Sequence, residues 1–456
     1  MSHESRAGGS GADGGVRPTG TIVMKFGGSS VESAEAIGRV AEIVRARIDR
    51  RPVVVVSAMG KTTNKLLAMA AAAASGKREE ALTALMELRA FHLGLGADAE
   101  VECHFRELEE LVKGLAVMGE LTARATDAIS SYGERISSII VAAYFRNAGI
   151  STTHVDSRRV IVTDGRHMQA APLFPESNAK LAALRSMKTQ VVVMGGFIGA
   201  TEDGVTTTLG RGGSDYTAAI VGAGIGAEEI QIWTDVDGML TADPRILAGG
   251  YRVETCSFAE AAELAYFGAK VLHPATVLPA IEKNIPVRIL NSRRPEVEGT
   301  LIVAEAPPSL APIRSIACKT NITLVNIVST RMLMAHGFLR RIFEIFDRFE
   351  TPVDMLATSE VSVSLTIDNT TALAAIREEI EEFAEVSIEG SQAIVCLVGE
   401  NIRKVPGTAA RVFTALRDID VRMVSQGASL LNISLVVGAG DLGRAVESLH
   451  REFFES

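Results

Sequence analysis

Met24-Lys25-Phe26-Gly27-Gly28-Ser29-Ser30-Val31 decides how the rest of the chain is read. Thr21–Phe26 is a short apolar run with a lysine at its end, and helix-forming sequence runs from about Ser33 to Arg50. The order is strand, tight glycine turn, helix. Such a turn aims backbone N–H groups at whatever sits above the strand end, and the helix N-terminus adds partial positive charge. Lys25 adds a full charge, so the three together suit a phosphate. The same residues also read as an ordinary βα turn with a surface lysine. The spacing matches neither the Walker P-loop nor the Rossmann glycine fingerprint. Motifs downstream separate the readings.

Working outward, Arg51-Pro52 introduces Val53-Val54-Val55-Val56, a β-branched run of the kind buried on both faces of a parallel sheet. The polar turn Ser57-Ala58-Met59-Gly60-Lys61-Thr62-Thr63-Asn64 follows at the C-terminal end, where ligands sit in open α/β sheets. From Lys65 to about Asn147 the chain is rich in Ala, Leu, Glu and Arg without proline, which predicts several helices. Ser131-Tyr132-Gly133-Glu134 interrupts them and places Glu134 in a helix first turn, where a carboxylate is favoured by the dipole. Strand-like segments recur at 151–155, 190–194, 229–233 and 287–290 with helices between. The fold class expected is α/β, a three-layer αβα domain with a mainly parallel sheet.

Gly195-Gly196-Phe197-Ile198-Gly199 is a second glycine turn at a strand end. Thr206-Thr207-Thr208-Leu209-Gly210-Arg211-Gly212-Gly213-Ser214-Asp215 is more specific: backbone, guanidinium, hydroxyl and carboxylate converge within six residues. Ser214 and Asp215 are N-cap candidates for a helix over 216–224. Thr234-Asp235-Val236-Asp237-Gly238 and Thr241-Ala242-Asp243-Pro244-Arg245 follow the next strand; EF-hand spacing is absent. Phe267-Gly268-Ala269-Lys270-Val271-Leu272-His273-Pro274 sets another lysine beside a glycine, and His273, before proline, reads as a capping or packing residue.

At 456 residues the chain is too long for one ordinary core. Its apolar runs are of buried-strand length, so no membrane span is expected. Residues 1–20 are polar and Gly/Ser-rich with no apolar core, and read as a disordered tail rather than a signal peptide. Cys103, Cys256, Cys318 and Cys396 lie far apart, so no thiol metal motif or disulfide framework is visible, which suits a reducing cytoplasm. The net charge of −9 argues against nucleic acid as a partner. An anionic substrate would then need a local cluster of cations.

The character changes near residue 305, at Glu305-Ala306-Pro307-Pro308-Ser309. Beyond it a small α+β module is repeated. Ser362–Ile367 corresponds to Asn432–Val437, and Val353–Leu356 to Val421–Val424. Neither copy holds a nucleophile, base or metal cluster, so both read as ligand-sensing or dimerising modules.

Taken in order, Lys25–Val31, Ser131–Glu134, Leu209–Asp215, Thr234–Gly238 with Thr241–Arg245, and Phe267–Pro274 resemble the aspartokinases of the amino acid kinase superfamily. The C-terminal pair resembles their tandem ACT domains, including Thr358-Ser359-Glu360-Val361-Ser362. The resemblance spans about 21–450 and implies a tail over 1–20, a catalytic domain over 21–305 and ACT (ferredoxin-like) domains over 316–385 and 391–456. It implies a monofunctional enzyme of the lysine-sensitive type, which moves the ATP γ-phosphoryl group to the β-carboxylate of L-aspartate and opens the aspartate-family amino acid pathway.

By the same resemblance Lys25 bridges the phosphates and the incoming carboxylate beside the amides of Gly27 and Gly28, and Asp215 orients it. Glu134 takes the substrate ammonium and Arg211 its α-carboxylate, with Ser57, Thr63 and Ser214 as further contacts. Thr234, Asp235, Leu240, Arg245, Lys270 and Val271 fall on the nucleotide side. Mg²⁺ is held mainly by phosphates, with no protein metal cluster. Met332, Gly337, Phe338, Leu339, Val353, Asp354, Ser359 and Glu360 would bind an effector, L-lysine ahead of L-threonine, in a homodimer or dimer of dimers built through the ACT domains. The chain departs from the family pattern at Leu240, often aromatic, and at Met334-Ala335, apolar where lysine-inhibited relatives usually offer polar groups. The competing readings are a same-fold kinase for glutamate, carbamate or a nucleoside monophosphate, and a catalytically silent amino acid sensor.

Overall fold

The computed structural model describes residues 20–268, 274–307, 311–329, 336–400 and 402–455. Lys270, Val271 and Met332, expected at binding sites, lie outside the described residues, as does part of the 305–309 stretch. Ten strands form the N-terminal part: β1 Ile22–Phe26, β2 Val53–Val56, β3 Thr152–Val155, β4 Val191–Gly195, β5 Ile198–Ala200, β6 Thr206–Thr208, β7 Glu229–Thr234, β8 Thr255–Ser257, β9 Val287–Asn291 and β10 Thr300–Val303. Eight of them make one sheet in the order β3-β4-β2-β1-β7-β9-β10-β8, parallel except for the β9–β10 pair. β5 and β6 form a separate antiparallel ribbon.

Helices cover both faces: α1 Ala34–Arg45, α2 Thr62–Ala74, α3 Arg78–His92, α4 Asp98–Met118, α5 Ala123–Ser130, α6 Tyr132–Asn147, α7 Phe174–Leu181, α8 Gly213–Ile225, α9 Phe258–Tyr266 and α10 Leu278–Glu282. Strand alternation sorts the core. Ile22, Met24, Phe26, Val54 and Val56 pack into one cluster with α1, α2 and α6. Val23, Val53 and Val55 join the opposite cluster with α8. Side chains two apart share a face, so Lys25 lies on the face of Val23, toward α8. Ser33 caps α1 by accepting from Ala36 N. Ser214 and Asp215, expected as caps of α8, lie instead in its first turn. The cap is Gly212, whose φ of +71° is left-handed and favours glycine, so the helix starts earlier.

The C-terminal part is one six-stranded antiparallel sheet. Its strands are β11 Ser315–Val328, β12 Met355–Thr358, β13 Ser362–Ile367, β14 Glu385–Val398, β15 Val421–Gln426 and β16 Asn432–Gly438, in the order β12-β13-β11-β14-β16-β15. Four helices, α11 Phe338–Arg348, α12 Leu373–Glu381, α13 Thr408–Ala415 and α14 Leu442–Phe454, accompany it. The repeat is interleaved. Leu324–Val328 pairs with Glu385–Glu389, whereas Ser315–Lys319 pairs with Ile394–Val398, with a register shift between. β14 therefore runs unbroken through the gap expected between 385 and 391. A sequence repeat reveals two similar units but not that they share long strands.

Candidate active site

The turn after β1 is fixed from three sides. Gly27 N donates to Trp233 O at 3.1 Å, Gly60 N donates to Gly28 O at 3.0 Å, and the Ser30 and Ser292 hydroxyls meet at 2.8 Å. A Cβ on Gly28 would stand 2.6 Å from Ala58 O and 2.9 Å from Gly60 O, so only glycine lets the two loops approach this closely. The loops at the ends of β1, β2 and β6, with α5 and the starts of α6 and α8, surround an open cleft of about 710 Å³. Lys25, Gly28, Ser57, Thr63, Glu134, Arg211, Ser214 and Asp215 all line it, although they come from across 190 residues of sequence.

Lys25 Nζ lies 2.7 Å from Asp215 Oδ1, and both side chains are largely buried. The ammonium is thus held in place while lining the cleft. Arg211 is exposed and lines the same cleft, with no ion pair among the described residues. Glu134 is 3% exposed; one oxygen accepts from Ala58 N at 3.1 Å, and the other has no hydrogen-bond partner among the described residues. Burial pushes its pKa up to about 8, against the smaller opposing pull of backbone donors. A buried carboxyl with an empty oxygen is poised for a cation to arrive.

Asp127 was not singled out by the sequence. It is fully buried and accepts from Thr208 Oγ1 at 2.6 Å and Met168 N at 3.0 Å, with His167 Nδ1 at 2.7 Å. These contacts tie α5 to β6 and to the 163–168 loop and so set one rim of the cleft. Its partners lie 40 to 81 residues away, and nothing local in Ala123–Asp127 marks it.

A second pocket of about 360 Å³ opens beyond β7. Thr234, Asp235, Leu240 and Arg245 line it as expected, joined by Met239, Asp243 and Pro244. Arg245 forks onto Asp243, with Nη2–Oδ2 at 2.5 Å. Ser315–Cys318 of β11 also line this pocket, so one wall belongs to the C-terminal sheet.

In that sheet Gly337 caps α11 with φ +82°, Phe338 stacks edge-on against Phe383 at 5.6 Å, and Val353 packs on the same core. Leu339, Ser359 and Glu360 are exposed, Ser359 being bonded to Ser362 Oγ at 2.7 Å. Asp354 is not open to solvent. Lys319 Nζ lies 2.6 Å from it and 2.8 Å from Asp368, 5.7 Å above the Tyr266 ring at the end of α9. Among the described residues no helix is long and apolar enough to cross a membrane, and no three His, Cys, Asp or Glu side chains cluster as a metal site.

Residues 20–291 match the amino acid kinase family, and residues 395–453 match an ACT domain. Over 96% of its length the chain is 42% identical to the chloroplastic aspartokinase 3 of Arabidopsis thaliana, covering 82% of that protein. This chain belongs to the aspartokinase family. It is also 37% identical to the lysine-sensitive aspartokinase 3 of Escherichia coli, over 95% of this chain and 99% of that one. The crystal structure of E. coli aspartokinase III with aspartate and ADP superposes with a TM-score of 0.79 at 35% identity, covering 95% of this chain and all of that one. The lysine and aspartate complex of the same enzyme gives 0.81. The kinase fold and the appended ACT sheet therefore belong to the aspartokinase architecture.

Proposed function

We propose that the chain transfers the γ-phosphoryl group of ATP to the β-carboxylate of L-aspartate, giving 4-phospho-L-aspartate and ADP. One observation carries this reading. A buried carboxyl with a free oxygen, Glu134, lines the same cleft as an unpaired guanidinium, Arg211, and a lysine held by Asp215. The first two suit the ammonium and α-carboxylate of an amino acid, which leaves its side chain for Lys25. The complex of the E. coli relative with aspartate and ADP supports the same assignment.

The acceptor needs no general base, because a carboxylate of pKa about 3.9 is already ionised at neutral pH. The barrier lies in bringing two anions together and stabilising charge on the transferring group. Lys25 meets both, with the Gly27 and Gly28 amides beside it. Arg211 grips the α-carboxylate as a planar fork. Ser57, Thr63 and Ser214 complete the substrate contacts. The base and ribose occupy the pocket beyond β7, against Leu240, with Thr234, Asp235, Arg245, Lys270 and Val271 on the nucleotide side. Mg²⁺ would be held mainly by phosphates and water, and when bound would supply positive charge to offset that of the phosphates.

The ACT sheet carries feedback control in the cytoplasm by L-lysine, ahead of L-threonine, in a dimer or dimer of dimers. Effector contacts come from Met332, Gly337–Leu339, Val353, Asp354, Ser359 and Glu360. The lysine complex of the E. coli relative supports this choice. The deciding experiment follows ADP release with aspartate, glutamate or no acceptor, each with and without lysine or threonine. Aspartate should react far faster than glutamate, whose extra methylene misplaces the nucleophile. Equal kcat/KM for the two acids would transfer the chain to glutamate. ADP release that ignores the acceptor would remove the kinase reading.

A further inference from the structure

The loop Leu240–Arg245 that lines the nucleotide pocket is anchored outside its own domain. Ser315 Oγ donates to Leu240 O at 2.7 Å, and Ile316 N donates to Thr241 O at 2.8 Å. Ala242 is buried in the core formed by α13, α14 and their strands, and Ile246 and Leu247 pack against that core. The hub is Thr241, which is 5% exposed. Its N–H donates to Tyr251 O at 2.8 Å, its hydroxyl accepts from Tyr251 N at 2.9 Å, and the same hydroxyl meets His450 Nε2 at 2.9 Å.

His450 lies on α14, 209 residues away, and is 1% exposed. Its Nδ1 is 2.9 Å from the Glu455 carboxylate. Tyr251 stacks on one side of its ring at 5.6 Å and Phe454 lies tilted at 4.9 Å. The Glu455 carboxylate can only accept, so Nδ1–H donates to it; on a neutral ring Nε2 is then the acceptor and takes the Thr241 hydroxyl hydrogen, while the Thr241 oxygen accepts from Tyr251 N–H.

We infer that His450 is a positioning residue for the nucleotide. It acts through Thr241 to hold the Leu240–Arg245 wall, so the last helix of the regulatory sheet completes the ATP site. Without His450 the buried hydroxyl of Thr241 would have to turn toward another acceptor or stay unpaired. The wall would then keep its backbone ties to β11 but lose its side-chain anchor on α14. This inference rests on reading the pocket beyond β7 as the nucleotide site.

The test uses the full-length protein with His450→Leu, which keeps volume but no hydrogen bond, and His450→Gln, which keeps a polar group near the Nε2 position. His450→Leu should raise KM for ATP and Kd for ADP about tenfold, the scale of one buried hydrogen bond. KM for aspartate and kcat at saturating ATP should stay within about twofold, and His450→Gln should recover most of the ADP affinity. Leu and Gln variants that behave alike, whether both normal, both weak or both unfolded, overturn the inference, as does a parallel rise in both KM values. A third variant, Leu240→Arg, fills the pocket directly. If it leaves ADP binding unchanged, the pocket assignment itself fails. If it abolishes ADP binding while His450→Leu does not alter it, the role of His450 alone fails.

Discussion

The cleft around Lys25 and the pocket beyond β7 lie on the same sheet but are built differently. The cleft is lined entirely by residues of the kinase part, and two of its charged groups are held by neighbours there, Lys25 by Asp215 and Glu134 by Ala58 N, with the rim set by Asp127. The pocket beyond β7, where we place the nucleotide, borrows a wall from β11 and an anchor from α14. A displacement of the C-terminal sheet would therefore reach the nucleotide first and the acceptor second. Feedback that works through such a displacement should act on ATP binding more than on the groups that perform transfer.

The sharpest way to break this division is Lys25→Ala. If Lys25 stabilises charge on the transferring group, kcat should fall by roughly 10²–10³, the usual loss for one such electrostatic donor. ADP affinity should change far less, because the base pocket is elsewhere. A kcat within a few-fold of wild type removes Lys25 from the chemistry.

Asp354→Ala probes the regulatory side. Lys319 Nζ now bridges Asp354 and Asp368, so an effector ammonium must share or displace that lysine. Losing a charge-assisted bond should raise the half-inhibiting lysine concentration by about tenfold to a hundredfold. Asp368 remains as a partner for Lys319, which keeps the variant foldable. An unchanged inhibition curve would place the effector away from Asp354.

Glu134 gives a pH test confined to the cleft. Its burial raises the pKa to about 8, so at neutral pH the free enzyme carries it mostly protonated. An incoming ammonium pairs with the ionised form, so aspartate affinity should rise by up to about tenfold per pH unit from pH 6 and level off near 8. Binding at pH 7 should release close to one proton, seen as a buffer-dependent heat in calorimetry. The stability sign follows from the same shift. A raised carboxyl pKa adds stability below its ordinary value near 4.5, and that contribution is lost as pH rises through about 8. Glu134→Gln should therefore melt higher than wild type above pH 8 when ligand-free, and should lose the proton release. A flat aspartate KM between about pH 6 and 8 contradicts the assignment.

These two regions also differ in how much of them was legible. Glycine turns, a β-branched strand and the run Leu209–Asp215 are local signals, so the parallel sheet could be read from spacing, whereas Ser57, Thr63 and Glu134 were named as site residues only through the resemblance to aspartokinases. The α8 cap was misplaced because a left-handed Gly212 and an N-cap serine leave similar traces in sequence. Asp127 escaped because its role exists only once α5, β6 and the 163–168 loop meet. The wall supplied by Ser315–Cys318 and the Thr241–His450 contact escaped for the same reason over greater separations. The interleaving of β11 and β14 was hidden because a repeat shows similarity, not strand exchange.

The smallest expected effect belongs to Leu240, where the family often carries an aromatic residue. Its backbone carbonyl is tied to Ser315, so changing the side chain leaves the wall in place. The pocket of about 360 Å³ lined by Met239, Leu264 and Ala317 has room for a larger group. Leu240→Tyr would set a ring against the adenine, and an aromatic contact contributes about 0.5–1.5 kcal/mol beyond area, or roughly twofold to tenfold in affinity. ADP should bind that much more tightly by direct titration, while KM for aspartate and the pH profile set by Glu134 stay where they were. Tighter ADP also predicts slower product release, so kcat should fall slightly wherever release limits turnover. Unchanged or weaker ADP binding would mean that adenine does not rest on residue 240. An aspartate KM that moved with it would show that the two sites are not separable in the way their walls suggest.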